Sequence, residues 1–246
     1  MRFDIITIFP QIFDSYLNES ILKRAQKKKL IQIKVHNLRD FSVGRGLMRT
    51  GRRTTQKNIY RKIDDKPYGG GAGMVLMAEP ILRAVEKIKT KTKVKKTKTI
   101  IFSAKGKQFN QKMAYDWARK YNNLILVSGR YEGIDERATN IIKAEEISIG
   151  PYVLTDGDVA VMAIISAVSR LVPDVIRLES LTEESHWNLL LKNEKKAEDK
   201  GLEYPHYTRP EILIYKGKKY KVPKVLLSGN HKEINEWRQA HKKFSR

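Results

Sequence analysis

The 246-residue chain reads as an α/β protein built on a parallel sheet. Three observations predict this. A strand–helix–strand succession opens the chain between residues 3 and 35. Short apolar runs recur farther on, at Thr99–Ser103 and Leu124–Val127, each next to a stretch with helical periodicity. Two glycine-bearing loops, Ser128–Arg137 and Ile149–Asp158, then follow strand ends and lead into an apolar helix. Parallel strands need crossover connections, which helices supply. Ligands in open α/β sheets sit outside the carboxyl ends of the strands, so the glycine loops mark the expected ligand site.

Taken in order, Phe3–Phe9 is expected as a buried strand closed by Pro10. Ile12–Lys29 suits an amphipathic helix, with Phe13, Tyr16, Leu17, Ile21, Leu22 and Ala25 on its inner face. Ile31, Ile33 and Val35 alternate with Gln32, Lys34 and His36, a period-two strand. Ser42–Lys66 is a basic loop in which Arg45, Arg49, Arg52, Arg53, Lys57, Arg61, Lys62 and Lys66 sit among Gly, Ser and Thr. Arginine forks suit phosphate, so a polyanion contact is expected there. Tyr68–Met74 reads YGGGAGM; it is neither a P-loop nor G-x-G-x-x-G. Glycines this dense allow a backbone to approach a flat ligand or bent RNA closely.

Pro80 falls where a first helical turn begins, and Ile81–Ile88 continues that helix. Lys89–Lys98 is lysine-rich and reads as a solvated loop. Thr99–Ser103 is a strand ending in Ser103-Ala104-Lys105-Gly106. Gln108–Tyr121 is a helix burying Phe109, Met113, Trp117 and Ala118. Leu124–Val127 is a buried strand, and a helical turn and a short strand near Glu146–Ile149 follow. Asp158–Val172 is a helix with Val161, Ile164, Ile165, Val168, Leu171 and Val172 at apolar spacing. Ala163, Ser166, Ala167 and Arg170 mark a second, small-residue face. A monomer would leave that face half exposed, so a homodimer packed through it is expected. Arg177–Glu203 is a charged linker. Ile212–Tyr215 and Tyr220–Val222 flank Lys216-Gly217-Lys218-Lys219 as a hairpin, and His231–Lys243 is a closing basic helix.

Lys and Arg total 49 against 27 Asp and Glu, a formal charge of +22. That is an electrostatic footprint for nucleic acid. The absence of cysteine excludes disulfides and thiolate metal sites. His36, His186, His206, His231 and His241 show no metal-ligand spacing, and no Ser-His-Asp order is evident. MRFDIITIFP is neither a signal peptide nor a membrane span, so no membrane association and a cytoplasmic location are expected.

SGRYEGIDER (Ser128–Arg137) and SIGPYVLTDGD (Ser148–Asp158), with the helix that follows, resemble the bacterial tRNA (guanine-N1)-methyltransferases, the TrmD family of SPOUT methyltransferases. ITIFPQIF (Ile6–Phe13), DDKPYGGGAGM (Asp64–Met74), PHYTRPE (Pro205–Glu211) and VLLSGNHKEINEWR (Val225–Arg238) extend the resemblance, in family order, over nearly the whole chain. It implies a SPOUT-type parallel sheet with a C-terminal trefoil knot and a small, mainly helical C-terminal domain. The implied division is 1–176 for the methyltransferase domain, 177–203 for a flexible linker and 204–246 for a shortened tRNA-binding domain.

The implied activity is S-adenosyl-methionine-dependent methylation of N1 of guanosine 37 in tRNA, by a homodimer. Magnesium is implied as well, though no ligand set is legible. The target nitrogen must lose a proton, so the chemistry needs a carboxylate base and a cation for charge growing at O6. Carried over by motif, Arg170 is the cation. Glu184, in Ser180–Ser185, stands where the family has the aspartate base, and Asp199 is the competing candidate. Cofactor contacts fall on Ser103, Ala104, Ser128, Gly129, Gly133, Ile149, Gly150, Tyr152, Leu154, Asp156 and Gly157. Substrate contacts fall on Tyr68, Gly69, Gly70, Gly71, Gly73, Glu132, Ser185 and His206.

Three departures from the family pattern stand out. Ala104 replaces a usual proline, Asp156 a common glycine, and Asp158 a common glutamate. Asp156 is expected to set an extra carboxylate at the cofactor slot, against the sulfonium charge. Two rival readings are a SPOUT enzyme for another nucleoside, against which PHYTRPE argues, and a non-catalytic RNA-binding protein that keeps the fold.

Overall fold

The computed structural model describes residues 1–42, 62–177 and 204–241. The chain divides into two compact units, Met1–Arg177 and Leu178–Arg246. The first is an α/β layer structure around a five-stranded parallel sheet. Its strands are β1 (Arg2–Thr7), β2 (Gln32–Asn37), β5 (Thr97–Gln108), β6 (Asn123–Val127) and β7 (Glu145–Ser148), in the order β2-β1-β6-β5-β7. A separate two-stranded ladder pairs β3 (Asp64–Asp65) with β4 (Val75–Leu76).

Side chains on successive strand residues point to opposite faces, and here both faces are covered. On one face Phe3, Ile5, Ile100, Phe102, Leu124 and Leu126 meet α1 (Asp14–Leu17), α2 (Ser20–Lys27), α4 (Gln111–Lys120) and α6 (Asp158–Ser169). On the other, Ile6, Ile101, Ile125 and Val127 meet α3 (Ala78–Thr92) and α5 (Glu136–Ile142). Burial on both faces explains why β6 reads as the continuous apolar run LILV rather than as an alternation.

Several boundaries differ from the sequence expectation. Phe9 lies beyond the strand and is 46% exposed, because the chain turns into a 3₁₀ segment at Pro10–Phe13. The helix expected over Ile12–Lys29 is interrupted. Asn18 donates its amide to Asp14 O at 2.8 Å, closing α1, and Ser20 starts α2 from a left-handed φ of 49°. The break re-aims the two pieces, so Phe13, Leu17, Leu22 and Ala25 are buried whereas Tyr16 and Ile21 are exposed. The helix expected from Gln108 begins at Gln111, because Asn110 caps it by accepting the Met113 N–H at 3.0 Å. β5 runs past Ser103 to Gln108 through an irregularity in its ladder. α6 ends at Ser169, and Arg170 occupies its C-cap.

In the second unit, β8 (Ile212–Tyr215) and β9 (Lys218–Lys221) form an antiparallel hairpin. Its loop is two residues, Lys216-Gly217, both at positive φ (48° and 73°), as a type I′ hairpin turn requires. The second strand therefore starts at Lys218 rather than at Tyr220. A 3₁₀ turn at Lys224–Leu227 precedes α7 (His231–Ala240), whose first N–H groups face the Asn230 side chain. No helix of the described residues is long and apolar enough to cross a membrane.

Candidate functional site

A cavity of about 580 Å³ opens at the carboxyl ends of β5, β6 and β7. Three chain segments wall it: Ser103–Lys105, Gly129–Ile134 and Ile149–Gly157. This is the position that doubly covered α/β sheets leave for ligands.

The first wall comes from the irregularity in β5. Phe102 and Lys107 both face Ile147 of β7, so residues 103–106 are pushed out of the ladder toward the cavity. Gly106 makes that excursion possible, since a Cβ there would sit 2.5 Å from the Ile147 nitrogen. The second wall follows β6. Its turn uses left-handed backbone at Tyr131 (φ 58°) and Gly133 (φ 125°). It is pinned to the strand edge at 74–76 by Glu132 N–H to Met74 O (3.0 Å), Leu76 N–H to Gly133 O (2.9 Å) and Asp135 N–H to Leu76 O (2.9 Å).

The third wall leaves β7 at Ser148, whose hydroxyl donates to Gly150 O at 2.9 Å. The Tyr152 hydroxyl donates to Ile149 O at 3.2 Å, curling the loop over itself. Tyr152, Val153 and Leu154 stay exposed and give the slot its apolar lip. The loop closes where the Gly157 N–H donates to Gly129 O at 2.8 Å. A Cβ on Gly157 would lie 2.7 Å from the Gly129 nitrogen, so two backbones touch there with no room for a side chain.

Several charged groups at the rim are paired. Arg130 meets Asp156 at 3.2 Å. Lys105 meets Glu136 at 2.7 Å and Glu146 at 3.5 Å, and the Glu136 carboxylate beside it raises the Lys105 ammonium above its ordinary value. Asp158, fully buried beneath the slot, accepts the Thr7 hydroxyl at 2.8 Å. Burial pushes its carboxyl up, and the Ser128 and Thr7 hydroxyls and the Arg130 charge oppose this.

Of the residues expected at a cofactor, the cavity is lined by Ser103, Ala104, Gly129, Gly133, Ile149, Tyr152, Leu154, Asp156 and Gly157. Ser128 and Gly150 do not line it. Asp156 does not present a free carboxylate to the slot. It faces Arg130, accepts the Thr155 hydroxyl at 3.1 Å, and accepts the Asp158 N–H at 2.9 Å.

Glu132 lines the cavity. It packs on Gly73, where a Cβ would come within 2.6 Å of its Oε1. The rest of the glycine loop, Tyr68 and Gly69–Gly71, projects into solvent, with Tyr68 99% exposed. Arg170 is not brought to the cavity. The cavity touches α6 at Gly157 and Ala160, and Arg170 caps the other end, about 15 Å of helix beyond Ala160. His206 belongs to the second unit, where its ring lies 4.7 Å from that of Tyr204. Glu184, Ser185 and Asp199, with most of the basic Ser42–Lys66 loop, lie outside the described residues.

Sequence reasoning assigned no role to Arg130, Lys105 or Gly106. Arg130 fell within the SGRYEGIDER stretch with no role of its own, and its partner Asp156 is 26 residues away. No local spacing relates the two.

A family model described as tRNA (Guanine-1)-methyltransferase TrmD matches residues 1–245. Among curated relatives, the tRNA (guanine-N(1)-)-methyltransferase of Clostridioides difficile is 44% identical over 97% of this chain and 91% of its own. Proteins with the same name from Thermomicrobium roseum and Carboxydothermus hydrogenoformans are 48% and 46% identical over 97% of this chain, covering 78% and 81% of theirs.

Proposed function

Because the chain belongs to the tRNA (guanine-1)-methyltransferase family, we propose that it methylates N1 of guanosine 37 in tRNA with S-adenosyl-methionine as donor. The observation that carries this reading is the glycine-crossed cavity. Its walls offer an apolar lip from Tyr152 and Leu154, and backbone that approaches closely at Gly129 and Gly157. Such a slot suits a flat heterocycle held by main-chain groups. When bound, the donor supplies an activated methyl group. The chain's own residues hold the guanine, take its N1 proton and offset the charge at O6.

Glu132, on the cavity wall beside Gly73, is positioned to face the target base. Glu184 is the proposed base, with Ser185 supporting it, and Arg170 the proposed cation. The helix between Arg170 and the cavity, about 15 Å long, favours a homodimer in which Arg170 of the partner subunit serves this site. The outward stripe of α6 supports that arrangement. Val159, Ala163 and Ser166 are exposed on it, and Met162 and Ala167 are half-buried. Small residues at this spacing let two helices approach closely. The SPOUT trefoil knot is part of the same proposal, supported by the tight crossing of the 128–129 and 156–157 backbones.

The C-terminal residues 204–246 are proposed to bind tRNA, joined through 177–203 to the catalytic domain at 1–176. A cytoplasmic place goes with a tRNA substrate. Among the described residues no group of three or more His, Asp or Glu side chains could hold a metal ion, so no step is assigned to magnesium.

The test is incubation with methyl-labelled S-adenosyl-methionine and unmodified tRNA, followed by mapping of the modified nucleoside. Label at N1 of guanosine 37 is expected; label on another nucleoside, or none, overturns the reading. Under single-turnover conditions Glu184→Gln should slow methyl transfer by about 10²–10⁴-fold while donor binding survives. If Asp199→Asn has that effect instead, Asp199 is the base.

A further inference from the structure

The Arg130–Asp156 pair is part of a closed circuit. The Arg130 guanidinium lies over the Phe9 ring, 4.5 Å from its centroid, and meets Asp156 Oδ2 at 3.2 Å. Asp156 Oδ1 accepts the Asp158 N–H at 2.9 Å. Asp158 accepts the Thr7 hydroxyl at 2.8 Å, and Thr7 Oγ1 in turn accepts the Phe9 N–H at 3.0 Å. The circuit ties together the end of β1, the loop after β6 and the start of α6. Inside it sits the Gly157 N–H to Gly129 O contact. Arg130 follows Gly129 in the chain and Asp156 precedes Gly157, so the ion pair straps the residues that flank this backbone crossing.

Both residues line the cavity, and the Asp156 side chain is only 7% exposed. At that burial an unpaired carboxylate would be strongly disfavoured, and a paired one holds its geometry. With guanidinium and carboxylate in contact, their fields largely cancel at the slot. Their contribution to a cationic ligand is therefore shape rather than charge.

We propose that Arg130 and Asp156 are positioning residues whose ion pair sets the gap between the 128–134 and 149–157 loops, and so keeps the methyl-donor slot formed before the donor arrives. The ligand's identity rests on the function proposed above; the mechanical role does not. Holding a site ready in the free protein raises affinity by removing the cost of ordering it on binding.

Arg130→Gln, Asp156→Asn and the double variant test this. Asp156→Asn keeps an oxygen to accept the Asp158 N–H, so the start of α6 is preserved while the ion pair is lost. Three quantities are read: hydrogen exchange of the Gly157 amide without ligand, affinity for S-adenosyl-homocysteine by calorimetry, and KM against kcat. In each single variant the Gly157 amide should exchange about tenfold faster, and affinity should fall about tenfold. KM should rise by more than kcat falls. The double variant should be no worse than the worse single one, because the two residues act as one unit.

Unchanged exchange and affinity in Asp156→Asn, or effects that add in the double variant, would overturn the proposal. If Arg130→Gln does not fold, Asp156→Asn decides alone. If the wild-type protein binds no S-adenosyl-homocysteine, the methyl-donor reading fails, and the exchange rates still decide whether the ion pair holds the loops.

Discussion

Asp4 is fully buried on β1, where it pairs with Arg2 at 2.7 Å, meets His36 Nε2 at 2.8 Å and accepts the Asn123 amide at 3.0 Å. Burial alone would push its carboxyl up. The hydrogen bonds from Arg2 and His36 and the Arg2 charge outweigh burial and bring it to about 2. A carboxyl depressed on folding stabilises above its unfolded value, and that stability is lost as pH falls toward the folded value. Asp4 should therefore contribute about 2 kcal/mol at neutral pH, lost between roughly pH 4 and pH 2. Denaturant unfolding across that window measures it. Asp4→Asn should flatten this acid limb and lower neutral-pH stability by about 2–3 kcal/mol.

Gly157 shows a different residue-level constraint. Its φ of −81° is ordinary, so space rather than backbone conformation demands glycine. Gly157→Ala would force the Gly129 nitrogen, 2.7 Å from the new Cβ, to move. Affinity for S-adenosyl-homocysteine should fall at least about tenfold; calorimetric titration with near-normal affinity would count against the slot as the donor site.

At the scale of elements, α6 presents two unlike faces. Val161, Ile164, Ile165 and Val168 are fully buried against the sheet. The opposite stripe, Val159, Ala163 and Ser166, is exposed. Ala163→Glu places a charge in the middle of that stripe without touching the core. If the proposed homodimer packs through this stripe, the change should leave a 28.5 kDa species at micromolar concentration, with far-UV circular dichroism retained and methyl transfer largely lost. Sedimentation equilibrium reads the outcome. A variant that stays dimeric and active places the interface elsewhere. β5 makes a related point: its ladder gives up residues 103–106 to the cavity and resumes at Lys107. Regular pairing is interrupted there, and the first wall of the site is gained.

For the whole molecule, charge is the dominant property. The formal +22 comes from 49 Lys and Arg against 27 Asp and Glu. Binding to tRNA should release counterions in proportion to the phosphates contacted. With about 6–10 contacts, affinity should drop by about 10³–10⁵ between roughly 50 and 200 mM salt. Filter binding or fluorescence anisotropy at several salt concentrations gives the slope. A nearly flat dependence would mean that the basic surface is not an RNA contact.

Sequence alone determined the class of fold, because LILV at Leu124–Val127 and the alternation at Ile31–His36 carry their burial in their residue types. It also placed the loops that wall the cavity, since glycines after strand ends mark where backbone must turn or come close. What it left undecided depended on contacts between distant segments. The helix break at Asn18–Ser20 turns on how two short pieces pack against the sheet, and the outward position of Phe9 on where the chain must turn. The Arg130–Asp156 pair spans 26 residues of chain, and Gly106 is required by Ile147 across a ladder. Such relations exist only once the sheet order β2-β1-β6-β5-β7 has brought these strand ends together. Local propensity acts over a few residues, whereas side-chain partners are chosen by tertiary proximity.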